Sequence, residues 1–353
     1  MRGQAGKSAI VNSGLGFATS SKGSDTLPVI PAARKYYDET DVCINSVIAS
    51  EHAIMCTLTG FFLKTKEGSW EKIGELEVET FRYLLKTFPN GILSLVSDTW
   101  DLWRVLSEYC VILKEEILAR NGKLVIRPDS GNPVDIICGH KTGKIGDKYF
   151  IIGGSRDNEH IDLPEAKGVI ELLWGIFGGT VNEQGYKVLD PHVGCIYGDS
   201  INYDRAQQIF ERLAAKGFAS TNIVLGIGSY SLQYVTRDTH GFAQKATYVE
   251  IMFPKEDSFK KVVKDENGKS INHEEEMELV GIEIFKDPIT DDGVKKSARG
   301  LMVVYKDEKN NFILKDRCSW DEVNDEKNQL KTIFKDGKFY NQTTLTEIRK
   351  KLY

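Results

Sequence analysis

The chain is predicted to be an α/β protein with parallel β/α architecture, open or closed into a barrel, followed by a smaller β-rich region. Apolar runs at residues 92–96, 124–126, 193–197 and 223–225 each stop abruptly in polar or turn residues, the pattern of strands buried on both faces. Between them lie stretches with apolar residues at helical spacing, so strand and helix alternate as in βαβ units. From Lys245 the texture changes to alternating apolar runs broken by turn residues, which read as antiparallel strands.

The first 30 residues are rich in Gly, Ser and Ala and carry neither a capped helix nor an alternating strand. They are expected to be a disordered tail or the start of a chain that opens partway through a fold. Residues 32–37 fit a short helix, and 47–49 a short extended run that empties into Ser50-Glu51-His52. Phe81, Leu84, Leu85 and Phe88 share a helix face that Pro89-Asn90-Gly91 stops. After the strand at 92–96, Ser97-Asp98-Thr99 offers a cap for a helix with the face Leu102, Leu106, Tyr109, Leu113 and Ile117. The strand at 124–126 ends in Arg127-Pro128-Asp129-Ser130-Gly131-Asn132-Pro133.

Around residues 141–162 a Gly- and Lys-rich insertion with the run Tyr149-Phe150-Ile151-Ile152 reads as a hairpin or flap. Leu163-Pro164-Glu165 opens a helix to about Phe177, Pro164 suiting its first turn. The strand at 193–197 stops at Gly198-Asp199-Ser200, and Ala206, Ile209, Phe210 and Leu213 build a helix closed by Lys216-Gly217. The strand at 223–225 stops at Gly226-Ile227-Gly228-Ser229-Tyr230. In the β-rich region, runs at 248–253, 279–285, 300–305 and 312–314 are strands, Glu266-Asn267-Gly268 is a hairpin turn, and 345–352 is a terminal helix.

With 353 residues, 41% hydrophobic and 27% charged, the chain has material for one large or two moderate domains. A net charge of -5 and a pI near 5.8 argue against bulk nucleic-acid or anionic-membrane binding, which need a dense basic field. Six scattered cysteines with no C-x-x-C pair suit a reducing compartment. No signal-peptide core and no run of about 18 apolar residues is present, so the expected location is cytoplasmic.

The informative residues gather where strands stop. Ser97, Asp98 and Asp101, then Arg127 and Asp129, then Gly198 and Asp199, then Gly226 and Gly228 close successive strands. In parallel α/β folds the carboxyl ends of the strands face the ligand crevice, so a shared site is expected there. Glycines let backbone N–H groups approach an anion, which suggests phosphate. Asp129 and Asp199 could take ribose hydroxyls or bind Mg2+ beside a pyrophosphate, although Asp199 could equally cap the next helix. His52, beside the Glu51 carboxylate, is the histidine singled out. Lys245 and Arg237 follow the glycine loop and could add phosphate contacts.

The segment Leu124 to Pro133, the run Tyr197-Gly198-Asp199-Ser200, and Gln233 to Asp238 with Gly241-Phe242-Ala243-x-Lys245-Ala246-Thr247 resemble bacterial nicotinamide phosphoribosyltransferases. Gly23-Ser24-Asp25-Thr26, Ser50-Glu51-His52, Val96-Ser97-Asp98, Phe285 to Pro288 and Phe334 to Lys338 extend the resemblance over essentially the whole chain. It implies the β/α barrel-like core of type II phosphoribosyltransferases over residues 1–244 and a β-rich C-terminal region over 245–353. It also implies transfer of phosphoribose from phosphoribosyl pyrophosphate to nicotinamide, Mg2+, stimulation by ATP, and a homodimer with active sites at the subunit interface. By the same resemblance, His52 is the histidine phosphorylated by ATP, with Glu51 and Asp101 as neighbours. Arg2, Arg127, Arg237 and Lys245 bind phosphates, Asp129 and Asp199 take the ribose and Mg2+ region, Gly228 and Ser229 form the 5'-phosphate loop, and Ser97 and Gly198 are substrate-binding. Asp25 meets the carboxamide, and a carboxylate there favours nicotinamide over nicotinate because it accepts from an amide and repels an acid.

The chain departs from the family at Ser229 and Tyr230, where glycine is frequent, and at its start, which opens on Met1-Arg2-Gly3 of an Asp-Phe-Gly-x-Arg-Gly motif. Family members carry a further region ahead of that motif, with aromatic residues that sandwich the nicotinamide ring and a part that packs with the β-rich region. Met1 is therefore expected to be internal to a longer reading frame, or another chain to supply that part. Two other readings stand beside the leading one: a nicotinate or quinolinate phosphoribosyltransferase, and a non-catalytic fragment that binds phosphoribosyl pyrophosphate or a partner chain.

Overall fold

The structure, a computed structural model, describes residues 4–228, 230–233, 235, 239, 244–254, 277–291, 293 and 295–352. It divides into two units, Met1–Lys245 with Lys286–Lys296, and Ala246–Phe285 with Ser297–Tyr353. The first unit is built on a five-stranded parallel sheet of β1 (Ile48–Ala49), β2 (Asn90–Val96), β3 (Asn121–Arg127), β4 (Val193–Tyr197) and β5 (Ile223–Leu225), in that spatial order. The expected mixed α/β class and parallel sheet are thus present.

The strands are held in register by their apolar halves. In β2 and β3, Leu93 stands opposite Leu124 and Leu95 opposite Ile126, and all four are buried. The tight approach of the two strands at their entrance explains a glycine in each: Gly91 pairs with Gly122, and a Cβ on Gly122 would fall 2.0 Å from the Gly91 carbonyl oxygen. The expected face Leu102, Leu106, Tyr109, Leu113 and Ile117 is buried against this sheet core. Its backbone is not one regular helix, because Val105–Tyr109 is a π-helical turn, which shifts the residues after it around the axis.

Several elements differ from the sequence reading. A 12-residue helix, Lys7–Ala18, stands where no element was expected; it has no side-chain cap and no buried residue, so neither a cap nor a stripe announces it. His52–Thr65 is also helical; its apolar residues fall on all sides, which leaves little periodicity to read. The helix expected from 163 to 177 is two, Leu163–Lys167 and Val169–Phe177. It breaks at Gly168, φ 79°, where a Cβ would lie 2.1 Å from the Gly139 nitrogen. The insertion forms a small antiparallel sheet of Thr142–Ile145, Lys148–Ile151 and His160–Ile161.

Among the described residues the second unit holds three antiparallel pairs, Tyr248–Pro254 with Met277–Glu283, Leu301–Lys306 with Phe312–Cys318, and Phe334–Lys335 with Lys338–Phe339. The Thr247 carbonyl accepts the N–H groups of Ile284 and Gly300 at 2.9 and 2.8 Å. A Ser319–Glu322 capping box starts Trp320–Val323, and Leu345–Leu352 is the terminal helix. The turn expected at Glu266-Asn267-Gly268 lies outside the described residues. Among the described residues no helix is long and apolar enough to cross a membrane.

Glu77, on the helix Ile73–Thr87, is fully buried. Burial raises its pKa well above the ordinary value, against a lowering influence of Tyr109. A raised folded-state pKa stabilises below the unfolded value and loses that stability as pH rises. Glu77→Gln is therefore expected to raise the urea midpoint at pH 7, with the gain shrinking toward zero on acidification to pH 4; equal shifts at both pH values would contradict a protonated Glu77.

Candidate active site

The carboxyl ends of the strands converge as expected. The Ser50 hydroxyl accepts the Val96 N–H at 2.9 Å, which holds the end of β1 against the end of β2. Two residues on, His52 opens its helix and turns its ring to those ends. Its Nδ1 lies 3.4 Å from Thr99 Oγ1. Its Nε2 lies 2.7 Å from Lys286 Nζ, 3.4 Å from Asp129 Oδ2 and 3.9 Å from Asp98 Oδ1.

Asp98 is the buried carboxylate beneath this group. Its Oδ2 accepts the Asp129 N–H at 3.0 Å and the Ser130 hydroxyl, and Ser130 also meets the Thr290 hydroxyl. The Tyr197 hydroxyl donates to the Ser130 and Gly131 carbonyls at 3.1 and 2.9 Å, and Asn132 caps Pro133–Cys138 through the Val134 N–H. The loop after β3 is thereby fixed from β2, β4 and its own helix. Asp129 is pushed up by burial but held down to about 2 by the His52 hydrogen bond and the Lys295 charge.

Lys286–Lys296 runs alongside: the Asp287 and Ile289 N–H groups donate to the Thr99 and Trp100 carbonyls at 3.0 and 2.8 Å. The Lys295 ammonium donates to the Asp129 carbonyl and lies 2.7 Å from Asp199 Oδ2. Burial lowers its pKa, yet Asp129 and Asp199 raise it overall. Lys286 is buried, and desolvation leaves its pKa lowered despite Asp98 and Asp129. Lys286, Lys295 and Thr290 were not singled out from the sequence; they lie far along the chain in a stretch whose texture reads as β-rich. The signal for Lys286 was its place in the Phe285-Lys286-Asp287-Pro288 motif.

Other expected residues fall differently. Glu51 is exposed and pairs with Arg127 at 3.4 Å rather than with His52. Asp101 caps the helix after β2 by accepting the Arg104 N–H at 3.0 Å, and burial is the largest influence raising its carboxyl. The carboxylate beneath His52 is therefore Asp98, three residues earlier, because the side chain at 98 turns inward at the strand end while that at 101 turns back on its helix. Ser97 is buried, and its hydroxyl donates to the Leu95 carbonyl at 2.8 Å, so it closes the strand end instead of facing a ligand. Asp199 does not cap the following helix; Asn202 does, accepting the Arg205 N–H.

Gly198 and Gly228 are exposed at the ends of β4 and β5, and a Cβ on Gly226 would lie 2.8 Å from Gly198 Cα. Lys245 Nζ donates to the Lys295 carbonyl at 3.0 Å. Arg2, Ser229 and Arg237 lie outside the described residues. Among the described residues no three His, Cys, Asp or Glu side chains converge as a metal site. Lys295 bridges the two aspartates singled out for ribose or Mg2+, meeting the Asp129 carbonyl and Asp199 Oδ2.

Asp25 lies in a cavity of about 320 Å³ lined also by Ser46, Leu27, Ile30 and Ile44. The Gly23–Asn45 bridge sets its segment beside residues 44–46, with the Ser24 N–H on the Asn45 carbonyl at 2.9 Å. The Ser46 hydroxyl donates to Asp25 Oδ1.

The model of the nicotinate phosphoribosyltransferase (NAPRTase) family matches residues 10–338. A nicotinamide phosphoribosyltransferase of Acinetobacter baylyi is 44% identical over 99% of this chain and 59% of its own length. One of Xanthomonas campestris is 31% identical over 98% of this chain and 60% of its own length, and one of Mycoplasma pneumoniae is 40% identical over 64% and 44%. These matches bear out the resemblance read from the motifs, and the chain spans 59% and 60% of the two relatives matched along nearly all of it.

Asp101→Ala is expected to cost about 1 kcal/mol in chemical denaturation, the ordinary value of an N-cap, while the histidine NMR signals of His52 stay in place. Lys295→Met should raise the pH at which the Asp129 carboxyl titrates, from about 2, by roughly a unit. Asp129 has a depressed folded-state pKa, so its stabilisation is present above about pH 4 and lost as pH falls toward 2; carbon-13 carboxyl NMR reads the shift, and an unmoved titration would refute the Lys295 contribution.

Proposed function

Because the chain belongs to the nicotinate phosphoribosyltransferase family, we propose that it transfers phosphoribose from phosphoribosyl pyrophosphate to nicotinamide, giving nicotinamide mononucleotide and pyrophosphate. The observation that carries this reading is the convergence of His52, Asp129, Asp199, Lys286 and Lys295 at the ends of the parallel strands. A substrate with a diphosphate and a ribose asks for cations and carboxylates side by side, and this cluster supplies both.

In the proposed reaction the ribose carbon develops positive charge as pyrophosphate leaves, so positioning and charge stabilisation dominate. Asp129, with its carboxyl held down to about 2, is ionised throughout the neutral range; it and Asp199 accept ribose hydroxyls. Lys286, Lys295 and Arg127 face the phosphates, with Arg2, Arg237 and Lys245 assigned to the same task by the family motifs. The exposed Gly198 and Gly228 let the protein backbone approach the substrate closely. Mg2+, held by Asp129 and Asp199, would neutralise charge on the diphosphate. ATP phosphorylates His52, the ring that Asp129 and Asp98 orient. Asp25 accepts from the nicotinamide amide in a cavity with apolar walls.

The proposal extends to architecture. The five strands follow one another in space in chain order and all run parallel, the path of a β/α barrel rather than of a doubly wound sheet, which supports a barrel-like core over 1–244; of the β-rich region read over 245–353, residues 286–296 belong with that core. The reading also includes a cytoplasmic homodimer with interfacial active sites; all six cysteines are free, as a reducing compartment requires.

Purified chain supplied with phosphoribosyl pyrophosphate and nicotinamide is expected to yield mononucleotide, faster with ATP. His52→Ala should lose the ATP response while keeping basal transfer. Binding of phosphoribosyl pyrophosphate without turnover would favour the non-catalytic reading, and nicotinate preferred over nicotinamide would overturn the choice of base.

A further inference from the structure

We propose that Ser46 is a second specificity residue, which together with Asp25 presents an acceptor-only pair to the cavity and so selects a primary amide over a carboxylate. The inference rests on the phosphoribosyl-transfer reading for the reaction, but its argument is local to the pocket.

A hydroxyl carries one proton and two lone pairs. Ser46 has two acceptors within reach: Asp25 Oδ1, at short range, and the Val47 carbonyl, 3.5 Å away at the limit of a hydrogen bond. Charge sends the proton to Asp25, because hydrogen bonds to a carboxylate are the stronger ones. With its proton committed, Ser46 Oγ offers the cavity only a lone pair. Asp25 Oδ1 is occupied by that proton, and Oδ2 remains an acceptor. Two acceptors thus stand side by side, one charged and one neutral.

A primary amide brings two N–H donors on one nitrogen, so it can satisfy Asp25 Oδ2 with one and Ser46 Oγ with the other. A carboxylate brings acceptors alone, and would meet Asp25 as a like charge and Ser46 as an oxygen whose proton is already spent. Leu27, Ile30 and Ile44 form apolar walls beside the pair, suited to the flat ring that carries the amide. The arrangement is imposed by the backbone: the Gly23–Asn45 bridge fixes the register of the two segments, and the Asn45 N–H on the Lys22 carbonyl at 2.7 Å sets it from the other side. The partner of Asp25 is therefore the residue after Asn45, 21 positions away in the chain.

The test compares wild type, Ser46→Ala and Ser46→Thr. Affinities for nicotinamide and nicotinate are read by ligand-observed NMR titration, and kcat and KM for each base with phosphoribosyl pyrophosphate. Ser46→Ala is expected to weaken nicotinamide binding about three- to tenfold, the worth of one neutral hydrogen bond, and to lower the nicotinamide-to-nicotinate preference through KM more than kcat. Ser46→Thr, which keeps the hydroxyl, is expected to retain the wild-type preference. An unchanged preference in Ser46→Ala, or a loss in Ser46→Thr equal to that in Ser46→Ala, would overturn the proposal, as would wild type binding nicotinate as tightly as nicotinamide. Absence of mononucleotide with the binding preference intact would count against the enzymatic reading and leave the Ser46 assignment supported.

Discussion

The Asp98 carboxylate accepts the Asp129 N–H and the Ser130 hydroxyl, and through Ser130 it reaches Thr290, so three stretches of chain depend on one buried charge. A buried carboxylate is costly unless it is hydrogen-bonded and faced by cations. Here the cost is offset by donors from the loop after β3 and by Lys286 and His52 nearby. The remaining oxygen, Oδ1, has no hydrogen-bond partner and lies 3.9 Å from His52 Nε2. The geometry of Asp129, the orientation of His52 and the docking of residues 286–296 follow from satisfying this group.

The charges at the strand ends are balanced locally. Asp98, Asp129 and Asp199 are interleaved with Lys286 and Lys295 instead of being grouped by sign. Each lysine touches a group of the acidic set or the histidine between them, so the field at the strand ends is locally mixed, although the chain as a whole is negative. An anion proposed to bind there would meet a few placed cations, and the overall charge has little say in that.

The legible part of this protein was its periodicity. Strands 92–96, 124–126, 193–197 and 223–225 announced themselves as apolar runs with polar stops, and they lie side by side in one parallel sheet. Less legible were groups whose role depends on direction. Asp98 and Asp101 are both acidic residues after the same strand, and only the turn of the backbone sends one under His52 and the other to the Arg104 N–H. Ser97 looks like a ligand contact by type and is instead a buried strand stop. Glu51 sits next to His52 in the chain and points elsewhere, since neighbours at a helix start face different ways.

Residue type and spacing by themselves determined the α/β class and the parallel core, and the resemblance of short motifs the family, because each is written in local stretches of chain. Tertiary structure alone decided that residues 286–296 return to the first unit, that Lys286 and Lys295 enter the site, and that Ser46 stands against Asp25. Those pairings join residues from 21 to 234 positions apart, and no local pattern encodes them; they arise when buried charges and hydrogen-bonding groups, brought together by packing, must each find a partner.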